Sequence, residues 1–239
     1  MMNRPSKQGA SPSPCAPPLT ARESRSRQKR QQIIDAAGKR FLDSGYGATS
    51  MDTIAAEAGV SKRTVYAHFD NKEALFIAVI DRLCMELTGL DPNDGPADGY
   101  PVDRLFRKYA SEDIVVALQE IGGRLLDLVL AKEPIRLFRI VVSEAERFPE
   151  LGRLFFEHGP KRVLDQLTAL IEAATADGRI TPSEPAWDIA WRFVCDVKDP
   201  HHLMMAIGVA QPPSPAEKAR LVDRAIRRFL DSVTYKERT

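Results

Sequence analysis

Apolar residues recur along most of this chain at spacings of three and four, and no stretch shows the strict alternation of a half-buried strand. Ile33, Ile34, Ala37 and Phe41 fall on one helical face, and Gly45-Tyr46-Gly47 ends that helix. Thr49 or Ser50 caps the next, in which Met51, Ile54, Ala55 and Ala58 share a face. Gly59 supplies a chain reversal that a larger side chain would resist, with Val60 packed beneath the turn. Ser61 caps a third helix that opens with Lys62, Arg63 and Thr64 and turns Val65 and Phe69 inward. Phe76, Ile77, Val79, Ile80 and Leu83 carry a further helix into the second half.

The run from Asp91 to Asp103, rich in Pro, Gly and Asp, predicts a loop. Beyond it, apolar periods predict four to six helices, at about 103–110, 112–131, 134–147, 149–175, 184–210 and 215–234. Short breaks at Glu133-Pro134, Asp177-Gly178 and Pro212-Pro213 suit antiparallel neighbours. The expected fold class is all-α, with an N-terminal three-helix helix-turn-helix domain and a C-terminal helical bundle.

A short helix, basic at its first turn and braced by a preceding one, has the shape and charge to enter the DNA major groove. Lys62, Arg63 and Thr64 project early enough to reach base edges, and Arg63 matches the O6 and N7 acceptors of guanine. Thr49, Ser50 and Ser61 present hydroxyls and free amides at helix starts, where a phosphate binds, although capping alone accounts for them. The pattern A-x-x-A-G-V-S-x-x-T-V-Y-x-H-F-x-N-K-E-x-L, from Ala55 to Leu75, closely resembles the DNA-binding domain of the TetR/AcrR family of bacterial transcription regulators. The resemblance covers about residues 27 to 84. It implies phosphate contacts for Tyr66, His68 and Lys72; His68 equally suits packing beside Phe69 at the helix end. Arg63 stands where the family often has glycine and Ala67 where it often has a long polar residue, which leaves the bases read open. Arg136 to Gly159, RLFRIVVSEAERFPELGRLFFEHG, is similar to the C-terminal domain of a subset of the family.

Charge supports the placement of DNA. The formal net charge is +1, yet residues 1–40 carry nine Lys/Arg against two Asp/Glu and leave the remainder at −6. Five of the 17 prolines fall in the first 20 residues, so residues 1–24 are expected as a disordered arm, with 25–84 the DNA-binding domain and 85–239 the effector-binding and dimerisation domain. Arg22, Arg25, Arg27, Lys29 and Arg30 suit phosphate contacts that give affinity without sequence choice. At 44% apolar residues the chain can bury a sizeable core. Cys15, Cys84 and Cys195 are odd in number and lack C-x-x-C spacing, so neither a disulfide framework nor a metal site is expected. No apolar run approaches the roughly 20 residues that span a bilayer, and a cytoplasmic location without membrane contact is expected.

Catalytic chemistry is not expected. Glu144/Glu146, Glu112/Asp113 and His201/His202 lack a third partner at useful spacing, and no phosphate-cradling or dinucleotide-binding glycine motif is present, so no cofactor is expected. Three classes compete: a dimeric repressor released from a palindromic operator by a small lipophilic effector, an architectural DNA-binder without effector, and a helical enzyme with an unrecognised site. The first is favoured, because a single helix reads too few bases to single out a genomic site and two copies are needed. Val163, Leu164, Leu167, Leu170, Ile171, Trp187, Ala190, Trp191 and Val194 hold more apolar surface than one covering helix needs, and the family resemblance implies a dimer bundle there, so they are the expected dimer faces, with ordinary core as the alternative. Phe106, Tyr109, Leu126, Phe138, Val142, Phe155, Trp191 and Met204, with Arg139 and His158 as polar anchors, form the expected effector pocket; each also suits plain core.

Overall fold

Helix formation begins at Thr20, whose hydroxyl accepts from the Glu23 N–H (3.3 Å) while the Glu23 carboxylate accepts from the Thr20 N–H (2.9 Å). This reciprocal cap starts α1 (Ala21–Ser44). The computed structural model describes residues 20–88, 101–198 and 200–235. Most of the expected disordered arm therefore lies outside the described residues, but residues 21–24, expected as coil, are the first turn of α1: the cap outweighs the local composition.

Ser50 caps α2 (Met51–Glu57) and Ser61 caps α3 (Lys62–Tyr66), each accepting from the backbone N–H three residues on. Between them Gly59 adopts φ 63°, the left-handed conformation that lets the Val60 N–H return to the Ala55 carbonyl (3.1 Å). α4 (Lys72–Thr88) follows. Its inner side packs on α1 at one end and on the second domain at the other, so the expected boundary at residue 84 falls inside a continuous helix.

The second domain comprises α5 (Pro101–Tyr109), α6 (Ile114–Val129), α7 (Lys132–Glu144), α8 (Pro149–His158), α9 (Pro160–Ala176), β1 (Ile180–Pro182), α10 (Ala186–Lys198), α11 (His201–Ala206), α12 (Pro215–Leu230) and β2 (Val233–Tyr235). α10 lies between α9 and α12, and α12 closes against α6. Residues 91–100 of the expected loop are outside the described residues, and Pro101–Asp103 open α5 instead, proline being well suited to a first helical position. The helix expected over 149–175 is two, because Pro160 has no N–H to continue α8 past Gly159. The helix expected over 184–210 is likewise interrupted before Pro200 and ends at Ala206. The one expected over 215–234 ends at Leu230, and its last residues pair antiparallel with Ile180–Pro182, Thr181 opposite Thr234. Strands of three residues are too short to show alternation in sequence.

The two domains are joined by a polar clasp over an aromatic cluster. The Glu144 carboxylate, at the end of α7, accepts from the Tyr46 N–H (2.8 Å) and the Gly47 N–H (2.6 Å) in the turn between α1 and α2. Beneath it the buried Tyr46 ring meets Phe41, Phe76 and Phe148, each at 5.5 Å between centroids. The turn must be glycine here: a Cβ on Gly47 would lie 2.8 Å from the Phe148 ring and 3.0 Å from the Glu144 carboxylate. Arg136 reinforces the join by donating to the Leu42 carbonyl (2.8 Å) and pairing with Asp43 (3.1 Å), as does Arg82 on Glu133 (2.6 Å).

Glu144→Ala leaves two amides of this turn without an acceptor. It is expected to lower stability by about 2–3 kcal/mol, with Glu144→Gln losing roughly half as much, on the scale of hydrogen bonds to charged groups. Urea denaturation measures both, and an alanine variant within about 0.5 kcal/mol of the parent, the usual range of inert surface changes, would show that the clasp contributes nothing.

Candidate nucleic-acid interface and ligand cavity

α3 is anchored from behind by Val65 and Phe69, both buried, which turns Lys62, Arg63, Tyr66 and Ala67 outward. Its start is fixed by Ser61, whose hydroxyl accepts from the Thr64 N–H (3.1 Å) and bonds the Thr64 hydroxyl (2.8 Å). Lys62 pairs with Asp52 of α2 (2.7 Å), and that hydrogen bond raises its pKa. Arg63 makes no ion pair among the described residues and lines a groove of about 650 Å³. The opposite wall is α1: Arg22, Arg25, Ser26 and Lys29 face Ser61, Arg63, Thr64, Ala67 and His68. No carboxylate lines it among the described residues, so both walls present cations or neutral donors. Arg22, Arg25 and Lys29 share one helical face by their spacing of three and four, a signal present in the sequence. Arg30 instead stacks over Phe69, 4.9 Å from the ring centroid, and braces α3 from α1.

Two of the expected DNA-contacting side chains point elsewhere. Thr49 is 2% exposed and its hydroxyl donates to the Gly45 carbonyl (2.7 Å) inside the turn, so Ser50 alone of the pair caps α2. Lys72 is half-buried: its ammonium donates to the Tyr46 carbonyl (2.9 Å) and lies 4.1 Å from the Tyr46 ring centroid, and burial pulls its pKa down. It holds the same turn that Glu144 holds from the other side. Ser50 and Tyr66 are exposed, Tyr66 at 46%, and His68 is partly exposed at the groove.

The second domain holds a largely apolar, partly open cavity of about 150 Å³ between α4, α6, α7, α8, the start of α9, α10 and α11. Of the ten residues expected to form an effector pocket, Phe138 and Phe155 line it. Phe106, Tyr109 and Leu126 are core residues elsewhere, and Met204 is partly buried away from it. Val142 and Trp191 are exposed, at 61% and 40%. The two expected anchors have other partners: Arg139 donates to the Met205 and Ala206 carbonyls (both 2.6 Å) at the end of α11, and His158 bonds Arg162 (2.9 Å). Cys84, Val194, Lys198 and His202 line the cavity without having been expected, since its wall is assembled from helix ends far apart in sequence. Of the expected dimer faces, Val163, Leu164, Leu167, Leu170, Ile171 and Ala190 are buried within the subunit, and Val194 faces the cavity. Trp187 and Trp191 remain outside, stacked at 5.5 Å with their planes 13° apart. Among the described residues no cluster of side chains suits a metal ion, and no helix is long and apolar enough to cross a membrane.

Comparison with known proteins agrees with this architecture. Residues 33–79 match the family model described as bacterial regulatory proteins, tetR family, and residues 116–235 match that of the AefR-like transcriptional repressor, C-terminal domain. Similar proteins include the transcriptional activator FasR of Mycolicibacterium smegmatis, 47% identical over 55 residues, which are 23% of this chain and 25% of that protein. The transcriptional repressor ComR of Escherichia coli is 44% identical over 64 residues, 26% of this chain and 30% of that protein. The matches thus span a quarter to under a third of the length of these curated relatives. Similar solved structures include a TetR-family regulator from Mesorhizobium loti, with 28% identity, a TM-score of 0.70, and 87% of this chain and 98% of that one covered. The flavonoid-responsive regulator FrrA has 29% identity, a TM-score of 0.65, and coverage of 86% and 97%. With a helix-turn-helix at one end, a helical domain at the other, and family models matching both, this chain belongs to the TetR family of bacterial transcriptional regulators.

Proposed function

We propose that this regulator is a homodimeric repressor that acts in the cytoplasm on a palindromic DNA operator and is released from it by a small lipophilic effector. The observation that carries the DNA part is the groove between α1 and α3, with Arg22, Arg25 and Lys29 on one wall and Arg63 on the other. Phosphates neutralised by the α1 wall give affinity and register, while Arg63 and Thr64 at the start of α3 read base edges. Ser61 and His68 add donors within the same groove and the exposed Ser50 and Tyr66 add further ones, while Lys72 acts chiefly by fixing the turn between α1 and α2. Residues 25–84 are the reading domain in this scheme and 85–239 the effector-binding and dimerisation domain, with α4 shared. The repressor reading is supported by the match to the AefR-like repressor model.

Two-fold pairing follows from what one copy leaves uncovered. Trp187 and Trp191 form an exposed aromatic pair on α10, a helix whose other side is already packed on α9 and α12. A second copy covering this pair sets two recognition helices about one DNA turn, roughly 34–36 Å, apart. The cavity is the effector site. The similar regulator FrrA is flavonoid-responsive, which supports a small-molecule signal here. α7 carries Phe138 in the cavity wall and, within two turns of it, Arg136 and Glu144 bonded to the DNA-binding domain. An occupant that favours a displaced α7 lowers DNA affinity by the ratio of its affinities for the two conformations.

Arg63→Ala is expected to cost about 1–3 kcal/mol on the operator and relax preference at one base pair, whereas Lys29→Ala weakens specific and random duplexes alike and lowers the salt slope by about one. Salt titrations by fluorescence anisotropy distinguish them; equal losses on both duplexes for Arg63→Ala would show that it reads no base. Light scattering should give twice the 26.6 kDa of one chain, and Trp187→Glu with Trp191→Glu should return it to a single chain. A parent of one-chain mass at micromolar concentration sinks the dimer. Val194→Phe fills the cavity and should leave operator binding intact while abolishing effector release, followed as loss of anisotropy change; release that persists in this variant places the effector elsewhere.

A further inference from the structure

The polar groups of the cavity are gathered on one side. Lys198, at the end of α10, and His202, in the first turn of α11, enter from that side, while α4, α6 and α7 present Ile80, Leu83, Leu125, Leu128 and other apolar side chains. Cys84 faces the cavity as a neutral wall group, burial pushing its thiol up to about 12. His202 is held neutral as well, since burial and then the nearby Lys198 charge pull its pKa down to about 4. No carboxylate lines the cavity among the described residues, so within the wall the Lys198 charge is unmatched.

Size and wall chemistry narrow the occupant further. A cavity of about 150 Å³ has room for one benzene-sized ring, and this partly open space has that volume. Phe138 meets Phe155 at 6.2 Å and the His202 imidazole edge-on at 4.8 Å, so three rings flank the space in the tilted arrangements that aromatic groups favour.

We propose that the cavity takes a one-ring aromatic molecule bearing an acidic group, its ring among Phe138, Phe155 and the α4 and α6 side chains and its anion against the Lys198 ammonium. The inference rests on the effector reading above and adds the chemical class of the ligand. An anion forms a charge-assisted hydrogen bond with Lys198, and the neutral imidazole of His202 supplies a second hydrogen bond to the same head. A neutral analogue leaves the cation unpaired. A cationic analogue is repelled.

Calorimetric titration of the full chain with phenylacetate, 2-phenylethanol and phenethylammonium at one ionic strength separates these cases. Phenylacetate is expected to bind about tenfold or more tightly than the alcohol, the scale of one hydrogen bond to a charged group, and the ammonium compound weakest. Lys198→Met should bring phenylacetate down to the level of the alcohol while the alcohol itself changes by less than about twofold; that retained binding shows the cavity still folded. Lys198→Arg should keep the preference for the acid. If the alcohol binds the parent as tightly as the acid, or if Lys198→Met keeps the acid preference, the proposal is overturned while the cavity stands as an effector site. If none of the three binds the parent, the proposal and the cavity as a ligand site of this size fall together.

Discussion

One carboxylate connects the two halves of this molecule. Glu144 stands almost a hundred residues from the turn whose Tyr46 and Gly47 amides donate to it, and it lies so close that a Cβ on Gly45 or Gly47 would meet its carboxylate. Backbone N–H groups drawn out of water require an acceptor, and a charged one binds them more strongly than a carbonyl does. The aromatic cluster of Phe41, Tyr46, Phe76 and Phe148 then fills the volume beneath, while Lys72 returns a positive charge to the Tyr46 carbonyl and ring. Polar satisfaction and apolar packing meet at one point, so the position of the first two helices depends on where α7 ends.

The groove depends on that position. Its two walls belong to different helices, α1 and α3, and their separation is set from behind by Phe69, Val65 and the Arg30 guanidinium stacked on Phe69. Cations held on two walls of an open groove repel each other at low salt and gain when phosphate lies between them, which makes this a surface waiting for an anion. Lys62 is the exception. Its pairing with Asp52 spends its charge on the preceding helix, and this leaves Arg63 as the cation of α3 turned to the groove.

The cavity shows the same dependence on helix ends. Pro160 and Pro200 each interrupt what periodicity reads as one helix, and both breaks border the space: Gly159 and Pro160 line it directly, and Lys198 and His202 flank the second break. A continuous helix presents one stripe to a neighbour, whereas a broken one leaves a gap between two stripes. Arg139 closes the outer end of α11 by donating to its last carbonyls, so the short helix that carries His202 is fixed to α7.

The helix-turn-helix was legible in the sequence because it is local. Ser50 and Ser61 cap helices three residues away, Gly59 makes its turn between neighbours, and the apolar faces of Ile33, Ile34, Ala37 and Phe41 and of Met51, Ile54 and Ala55 are read from spacing alone. The all-helical class and the basic first end followed from the same short-range information, as did the resemblance carried by residues 55–75. Only the tertiary structure decided that Thr49 and Lys72 turn inward, that Arg139 caps α11 and His158 bonds Arg162, and that Lys198 and His202 share a cavity with Phe138. In each case the partner is distant in the chain or the competing site is equally apolar, and spacing says which face of a helix is buried but not what it is buried against.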